Sequence, residues 1–186
     1  MSEINVYNTM TGTKEPLITR EPGKVGMYCC GPTVYSFAHI GNMRTYLFMD
    51  WLRRCLRFFG IEPYTVMNIT DVGHLVSDAD EGEDKMEKSA REQQRSPIEI
   101  ADYFTGVFMR DIESLNVDRP EVIAKATDNI PEMIEFVEGL VKKGYGYETS
   151  DGIYFDIGKF DGYGKLSRMN FEEQQAGARV EVNSEK

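Results

Sequence analysis

Cys30-Gly31-Pro32-Thr33-Val34-Tyr35-Ser36-Phe37-Ala38-His39-Ile40-Gly41-Asn42 joins a potential metal-ligating thiolate to a His-x-Gly-Asn turn. The residues before it, Val25 to Cys29, form a short apolar run that predicts a buried strand. The residues after it, Met43 to Phe59, place Leu47, Trp51, Leu52, Leu56 and Phe59 at helical spacing, and Gly60 supplies the stop. A strand, a glycine-containing turn and a helix N-terminus make a phosphate site, because free N–H groups and the helix dipole both favour an anion there. The imidazole of His39 and the carboxamide of Asn42 add donors where charge builds during displacement at phosphorus. Gly31 and Gly41 let the backbone come close to a nucleotide.

Working outward, Glu62 to Ile69 is rich in β-branched residues and predicts a second strand. Strand, helix and strand in succession make a βαβ unit, so the two strands should run parallel. Thr70 and Asp71 follow at the carboxyl edge, where open α/β sheets bind ligands; the plainer expectation for the pair is a cap and turn. Helices are expected from about Asp84 to Gln93, from Pro97 to Leu115 with Ser96 as N-cap, and from Ile130 to Lys143 with Gly144 as the stop. Ile134, Val137, Leu140 and Val141 share one face of the last. Ile4 to Thr9 predicts a weak first strand, Pro22-Gly23 a turn, and Gly152 to Ile157 and Arg179 to Val182 short strands of a small β-containing appendage.

A chain of 186 residues with 41% hydrophobic and 28% charged residues is an ordinary globular protein of one to one and a half domains. No apolar run approaches the roughly 18 residues of a membrane span. The polar, acidic N-terminus is unlike a signal or transit peptide. Cys29, Cys30 and Cys55 do not make a disulfide framework, which points to a reducing, cytoplasmic compartment. A net charge of −10 has the wrong sign for a dedicated nucleic-acid module. The basic cluster Arg53-Arg54-Cys55-Leu56-Arg57 is expected to form a solvated helix face.

The stretch from Cys30 to Tyr46 is similar to the HIGH-type signature of class I aminoacyl-tRNA synthetases, and with Cys30 directly ahead it resembles the cysteinyl-tRNA synthetases. Asn68-Ile69-Thr70-Asp71, Ser114 to Pro120, Gly82 to Met86 and Ala176 to Val180 extend the likeness over essentially the whole chain. The resemblance implies an α/β fold: the first half of a Rossmann-like (HUP-type) parallel-sheet nucleotide-binding domain over residues 1–118, then the start of a connective insertion over 119–186. It implies cysteine–tRNA ligase activity, with ATP, Mg2+, cysteine and tRNA-Cys as partners, no membrane, and a monomer. By the same resemblance, His39 and Asn42 are the catalytic pair. Pro32, Thr33, His39, Ile40, Gly41 and Asn42 form the ATP motif, while Gly31, Tyr35 and Thr70 contact cysteine. Cys30 becomes a Zn2+ ligand, whose partners in the family (a Cys, a His and a Glu) come later in the sequence than this chain extends.

A zinc site with an open position would bind the substrate's thiolate and refuse serine's hydroxyl, a discrimination that an apolar pocket cannot supply. Cys29 and Cys55 match no metal position and are read as structural. Lys85-Met86-Glu87-Lys88-Ser89 imitates the family's KMSKS loop but lies ahead of the insertion and is rejected as the ATP loop. The acidic run Asp78 to Asp84 lacks calcium-loop spacing and is read as solvated; His74 has no recognisable partner. The chain alone is expected to have little ligase activity. Two other functions fit the same residues: a cysteine-activating ligase with an amino-sugar acceptor, and a non-catalytic paralogue that binds a nucleotide or a regulatory partner.

Overall fold

A computed structural model describes residues 4–73, 89–91, 94–150 and 152–167. The acidic run, His74, most of the 84–93 helix, Lys85 to Lys88, and the 176–182 matches lie outside those residues. The described elements are β1 (Asn5–Asn8), β2 (Thr13–Pro16), β3 (Lys24–Cys29), α1 (Ile40–Phe58), β4 (Glu62–Ile69), α2 (Pro97–Ser114), β5 (Val122–Lys125), α3 (Ile130–Lys142), β6 (Gly146–Thr149) and β7 (Gly152–Phe155). They fall into two compact units, Ile18–Asn129 and Glu3–Leu17 with Ile130–Lys186.

The first unit is a parallel sheet in the order β3-β4-β5, as the βαβ pattern predicts for its first two strands. β3 and β4 pair from Lys24↔Glu62 to Cys29↔Met67, and β4 and β5 from Val66↔Val122 to Ile69↔Lys125. Period-two alternation sorts β4: Pro63, Thr65, Met67 and Ile69 are buried while Glu62 and Tyr64 are exposed. The buried side packs against Met43 and Tyr46 of α1 and Ile100, Ala101, Phe104, Phe108 and Ile112 of α2. Each large apolar side chain so buried contributes about 1.5–3 kcal/mol. Both crossover helices therefore cover one face, and the other face leaves Tyr28 and Tyr64 exposed.

The buried stripe of α1 is only partly the one predicted: Leu56 is buried as expected and Leu47, Leu52 and Phe59 are half-buried. Met43, Tyr46, Asp50, Arg53 and Leu56 face inward, whereas Trp51 is 65% exposed. The physical reason is a mixed stripe, in which two charged residues occupy inward positions that hydrophobic periodicity discounts. The expected solvated basic face is corrected at Arg53, which is buried, whereas Arg54 stays exposed and Arg57 half-exposed. Arg53 donates to the carbonyls of Asp118 (2.6 Å) and Arg119 (3.2 Å) and to the Glu121 carboxylate (2.8 Å). Arg54 reaches Asp50 and Asp118, and Arg57 reaches Asp118. Asp50 also accepts from the Asp118 N–H at 3.0 Å, and Glu121 from the Thr65 N–H at 2.6 Å. The cluster thus bolts α1 to the segment entering β5 and to β4. Burial alone would push the Glu121 carboxyl up, but the Thr65 N–H and Arg53 outweigh it and hold it below the ordinary range.

α2 begins as predicted. The Ser96 hydroxyl accepts from the Glu99 N–H, the Glu99 carboxylate accepts from the Ser96 N–H, and Pro97 takes the first helical position. In the second unit, β1 and β2 form an antiparallel hairpin, Asn5↔Pro16 to Asn8↔Thr13, with the Asn8 carboxamide bonded to Glu15. α3 ends at a left-handed Gly144 (φ 82°), and β6 and β7 pair antiparallel, with Tyr145 stacked on Phe155. The strands β2, β5 and β6 were not foreseen. Each is four residues long, as are the expected β1 and β7, and each is defined by its pairing partner rather than by a local pattern.

Truncation of Ile112, 1% exposed, to Ala should cost about 2–5 kcal/mol in chemical denaturation, while Phe58→Ala, at a site 85% exposed, should stay within about 0.5 kcal/mol of the parent. The Glu121 carboxyl adds a pH signature. Its folded-state value lies below the unfolded one, so its contribution is complete above the unfolded value near 4.3 and is lost as pH falls through the lower folded value. Denaturation midpoints of the parent and Glu121→Gln should therefore differ at pH 7 and converge below about pH 4. A gap that stays constant with pH would contradict the assignment.

Candidate active site

Pairing of the two central strands does not stop where β3 and β4 end. The Val34 N–H donates to the Thr70 carbonyl at 3.1 Å, and the Thr70 N–H donates to the Pro32 carbonyl at 3.0 Å. Between Cys29 and this last bridge the chain presses directly on β4 at Gly31. A Cβ built there would lie 1.7 Å from the Asn68 carbonyl oxygen, so only glycine fits. The Gly31 N–H donates to the Asn68 side-chain oxygen at 2.9 Å, and the Asn68 amide nitrogen donates to Thr70 Oγ1 at 3.1 Å.

Strand alternation separates the adjacent cysteines. Cys29 points into the core, and burial pushes its thiol up against an opposing pull from Arg53. It is a structural thiol, as predicted. Cys30 is exposed, with its Sγ 3.8 Å from the Gly31 carbonyl. Cys55 is exposed on α1.

The helix starts inside the signature. His39 is the N-cap of α1, so the first helical residue is Ile40 and not Asn42 or Met43. His39 Nδ1 accepts from the Gly41 N–H at 3.0 Å, and Asn42 Oδ1 accepts from the His39 N–H at 3.0 Å. This reciprocal cap uses one polar atom of each side chain and fixes the other. A neutral imidazole that accepts at Nδ1 carries its proton at Nε2, and the Asn42 carboxamide has its NH2 group left to donate. Gly41 makes room for the ring, since a Cβ there would sit 2.9 Å from His39 Cε1. The first turn of α1 has no acidic side chain to oppose its dipole. The result is a helix N-terminus with two outward donors.

A cavity of about 260 Å³ opens beside this turn, bordered by Gly31 to His39 and Asn42 on one side and by Tyr46, Phe104 and Phe108 on the other. Gly31, Pro32, Thr33, Tyr35, His39 and Asn42 of the predicted set line it. Thr70 joins through its bridge to Thr33. Ile40 is 89% exposed and does not line the cavity. Burial, then the nearby Cys30, push Tyr46 up to about 12, so it remains a neutral phenol across the physiological range.

Several site residues escaped the sequence analysis. Asn68 was read only as part of a family match, and Tyr46 not as a site residue at all. Ser89 is buried and donates to the Tyr35 carbonyl at 2.9 Å. Asp71, a helix-cap candidate, instead accepts from the Thr127 N–H (3.0 Å) and hydroxyl (2.6 Å), tying the edge of β4 to the segment after β5. Only a contact map links residues 35 with 89 and 71 with 127; no local pattern does. Among the described residues no three His, Cys, Asp or Glu side chains come together as a metal site. Cys30 supplies one donor, and zinc needs about three from protein. No helix among the described residues is long and apolar enough to cross a membrane.

A parallel sheet with a cavity at its carboxyl edge and a helix N-terminus beside it define an α/β domain of the Rossmann-like class. Residues 17–186 match the family described as tRNA synthetases class I (C) catalytic domain, and the chain belongs to that family. It is 48% identical over 183 residues to a cysteine–tRNA ligase of Treponema denticola, covering 98% of this chain and 37% of that protein. It is 50% identical over 181 residues to cysteine–tRNA ligase 1 of Burkholderia lata, covering 97% and 38%. A cysteine–tRNA ligase of Chlorobaculum tepidum is 46% identical over 191 residues, covering 100% and 39%. The chain therefore spans less than two-fifths of the length of these relatives.

Substituting Gly31 by Ala should break the close approach to Asn68, because the Asn68 carbonyl carbon and oxygen are backbone atoms that cannot rotate away, and Met67 Cγ is crowded as well. The expected loss is about 1–3 kcal/mol, with amide exchange at Val34 and Thr70 accelerated. Unchanged protection at both amides would count against the crossing.

Proposed function

We propose that this chain carries the amino-terminal part of the catalytic site of a cysteine–tRNA ligase, with 1–118 as the first half of the nucleotide fold and 119–186 as the start of an insertion. The observation that supports this best is the reciprocal cap of His39 and Asn42. It aims two side-chain donors outward from a helix N-terminus that has no acid in its first turn. Neutral donors held by local hydrogen bonds lose no reorganisation energy when charge appears, which is what a phosphoryl-type displacement requires.

In the reaction, a cysteine carboxylate oxygen attacks the α-phosphorus of ATP. The new O–P bond forms as the bond to pyrophosphate breaks, giving cysteinyl-adenylate and pyrophosphate. A terminal ribose hydroxyl of tRNA-Cys then takes the cysteinyl group and releases AMP. His39 Nε2 and Asn42 Nδ2 serve the phosphate oxygens, while Pro32, Thr33, Ile40 and Gly41 shape the nucleotide side. Gly31, Tyr35 and Thr70 are at the amino-acid side. No proton needs to leave an enzyme side chain in the first step, so positioning and electrostatics supply the catalysis. Mg2+ accompanies ATP. Zinc, with Cys30 as one ligand, belongs to the same proposal through the family resemblance; the described residues do not complete its site, and no step here passes through it. A monomer in the cytoplasm completes the proposal.

The test is cysteine-dependent exchange of labelled pyrophosphate into ATP by the protein in the length its source cells make, isolated with an antibody to this chain. Exchange with cysteine and none with serine is expected. His39→Ala should lower it by about 10²–10³-fold, the usual loss on removing one charge-stabilising donor. Nucleotide binding without exchange would make the non-catalytic function the better one. Discharge of the adenylate by an amine and not by tRNA would move the assignment to an amino-sugar ligase.

A further inference from the structure

The carboxamide of Asn68 spans the two central strands where the site opens, and its orientation is not a free choice. A backbone N–H only donates, so the side-chain atom 2.9 Å from the Gly31 nitrogen is the oxygen, and the amide nitrogen faces Thr70. An NH2 group only donates, so Thr70 Oγ1 accepts at 3.1 Å and its own proton points away from Asn68. The backbone of Thr70 is already engaged, its N–H by Pro32 and its carbonyl by Val34. The hydroxyl proton is then the donor that Thr70 has left to offer a ligand.

We propose that Asn68 is a positioning residue of the cysteine site: it holds the Cys30–Gly31 peptide against β4 and turns the Thr70 hydroxyl proton away from itself, so that this proton is directed to an acceptor group of the substrate. This rests on the cysteine-activating function proposed above. It also accounts for an amide in place of the near-isosteric acid. An Asp at 68 would still accept from Gly31, but its second oxygen would draw the Thr70 proton and turn the hydroxyl round. Asn68→Asp therefore keeps the tether and reverses the hydroxyl, whereas Asn68→Ala removes both.

Two measurements decide it. The first needs no ligand and uses the 186-residue chain in solution NMR. Exchange of the Gly31 amide should accelerate by about tenfold or more in Asn68→Ala and stay within about twofold of the parent in Asn68→Asp. The carboxyl introduced by Asn68→Asp should titrate below about 3.9, the ordinary value, and rise when Thr70→Val is added. Insensitivity to Thr70→Val would overturn the hydroxyl assignment. The second is pyrophosphate exchange by the protein in its native length. Asn68→Asp and Thr70→Val should each raise the KM for cysteine on the order of tenfold, as expected for one lost hydrogen bond. The KM for ATP and kcat should stay within about threefold, and the double variant should be no worse than either single one.

A normal cysteine KM in Asn68→Asp beside a raised one in Thr70→Val overturns the proposal and leaves cysteine activation standing. Equal losses toward ATP and cysteine show a structural role only, and also overturn it. A parent protein without cysteine-dependent exchange overturns the parent function and the substrate half of the proposal together, while the amide exchange still decides the tether.

Discussion

Everything at the site depends on the contact between Gly31 and the backbone of Asn68. Two parallel strands normally diverge once their ladder ends, because the crossover helix draws one of them away. Here the ladder is carried further by the Thr33–Thr70 bridge, and the chain between must pass over β4 with no space for a side chain. That crossing fixes where the loop 30–38 leaves the sheet. It thereby fixes where His39 can cap α1 and how far the helix N-terminus stands from Thr70. A shift at Gly31 would be passed to each of them, since the segments that follow are anchored by backbone hydrogen bonds.

The site's polar groups share one device. His39, Asn42 and Asn68 each carry two hydrogen-bonding atoms on a rigid planar group. In each case one atom is satisfied by a nearby backbone N–H, and that choice decides what the second atom offers. The direction of a donor is set locally, by atoms that do not move in the reaction. Planar amides and imidazoles suit this better than hydroxyls, whose proton rotates freely unless something else holds it. Thr70 is the exception that shows the rule, because its hydroxyl gains a direction only from Asn68.

The helices, the central strand pair and the signature turn were legible in the sequence because each is marked by strong local signals. Ser96-Pro97, the β-branched residues of Glu62 to Ile69, and Gly60 and Gly144 as stops all act within a few residues. What was illegible is what depends on distant partners. Arg53 looked like a solvated residue because nothing nearby in sequence reveals the carbonyls of Asp118 and Arg119 that receive it. Trp51 looked like core because it is large and apolar, but the turn of α1 that carries Asp50 and Arg53 inward carries Trp51 out. At the site, the residue types were readable from 30 to 42, while Asn68, Tyr46, Ser89 and the Asp71–Thr127 clamp were fixed only by the fold.

The ion-paired arginine cluster bears on what this region can touch. Arg53, Arg54 and Arg57 are matched by Asp50, Glu62, Asp118 and Glu121, three cations to four anions. The cluster therefore has no net positive charge as a group, and Arg53 is too buried to meet a phosphate. A polyanion gains affinity by trading condensed counterions for free cationic side chains, and a guanidinium already held by carboxylates releases few of them. Arg53, Arg54 and Arg57 thus serve the attachment of α1 to the segment entering β5. A phosphate can still be welcomed at the N-terminus of α1, because the attraction there comes from oriented N–H groups and fixed neutral donors, which do not depend on net charge.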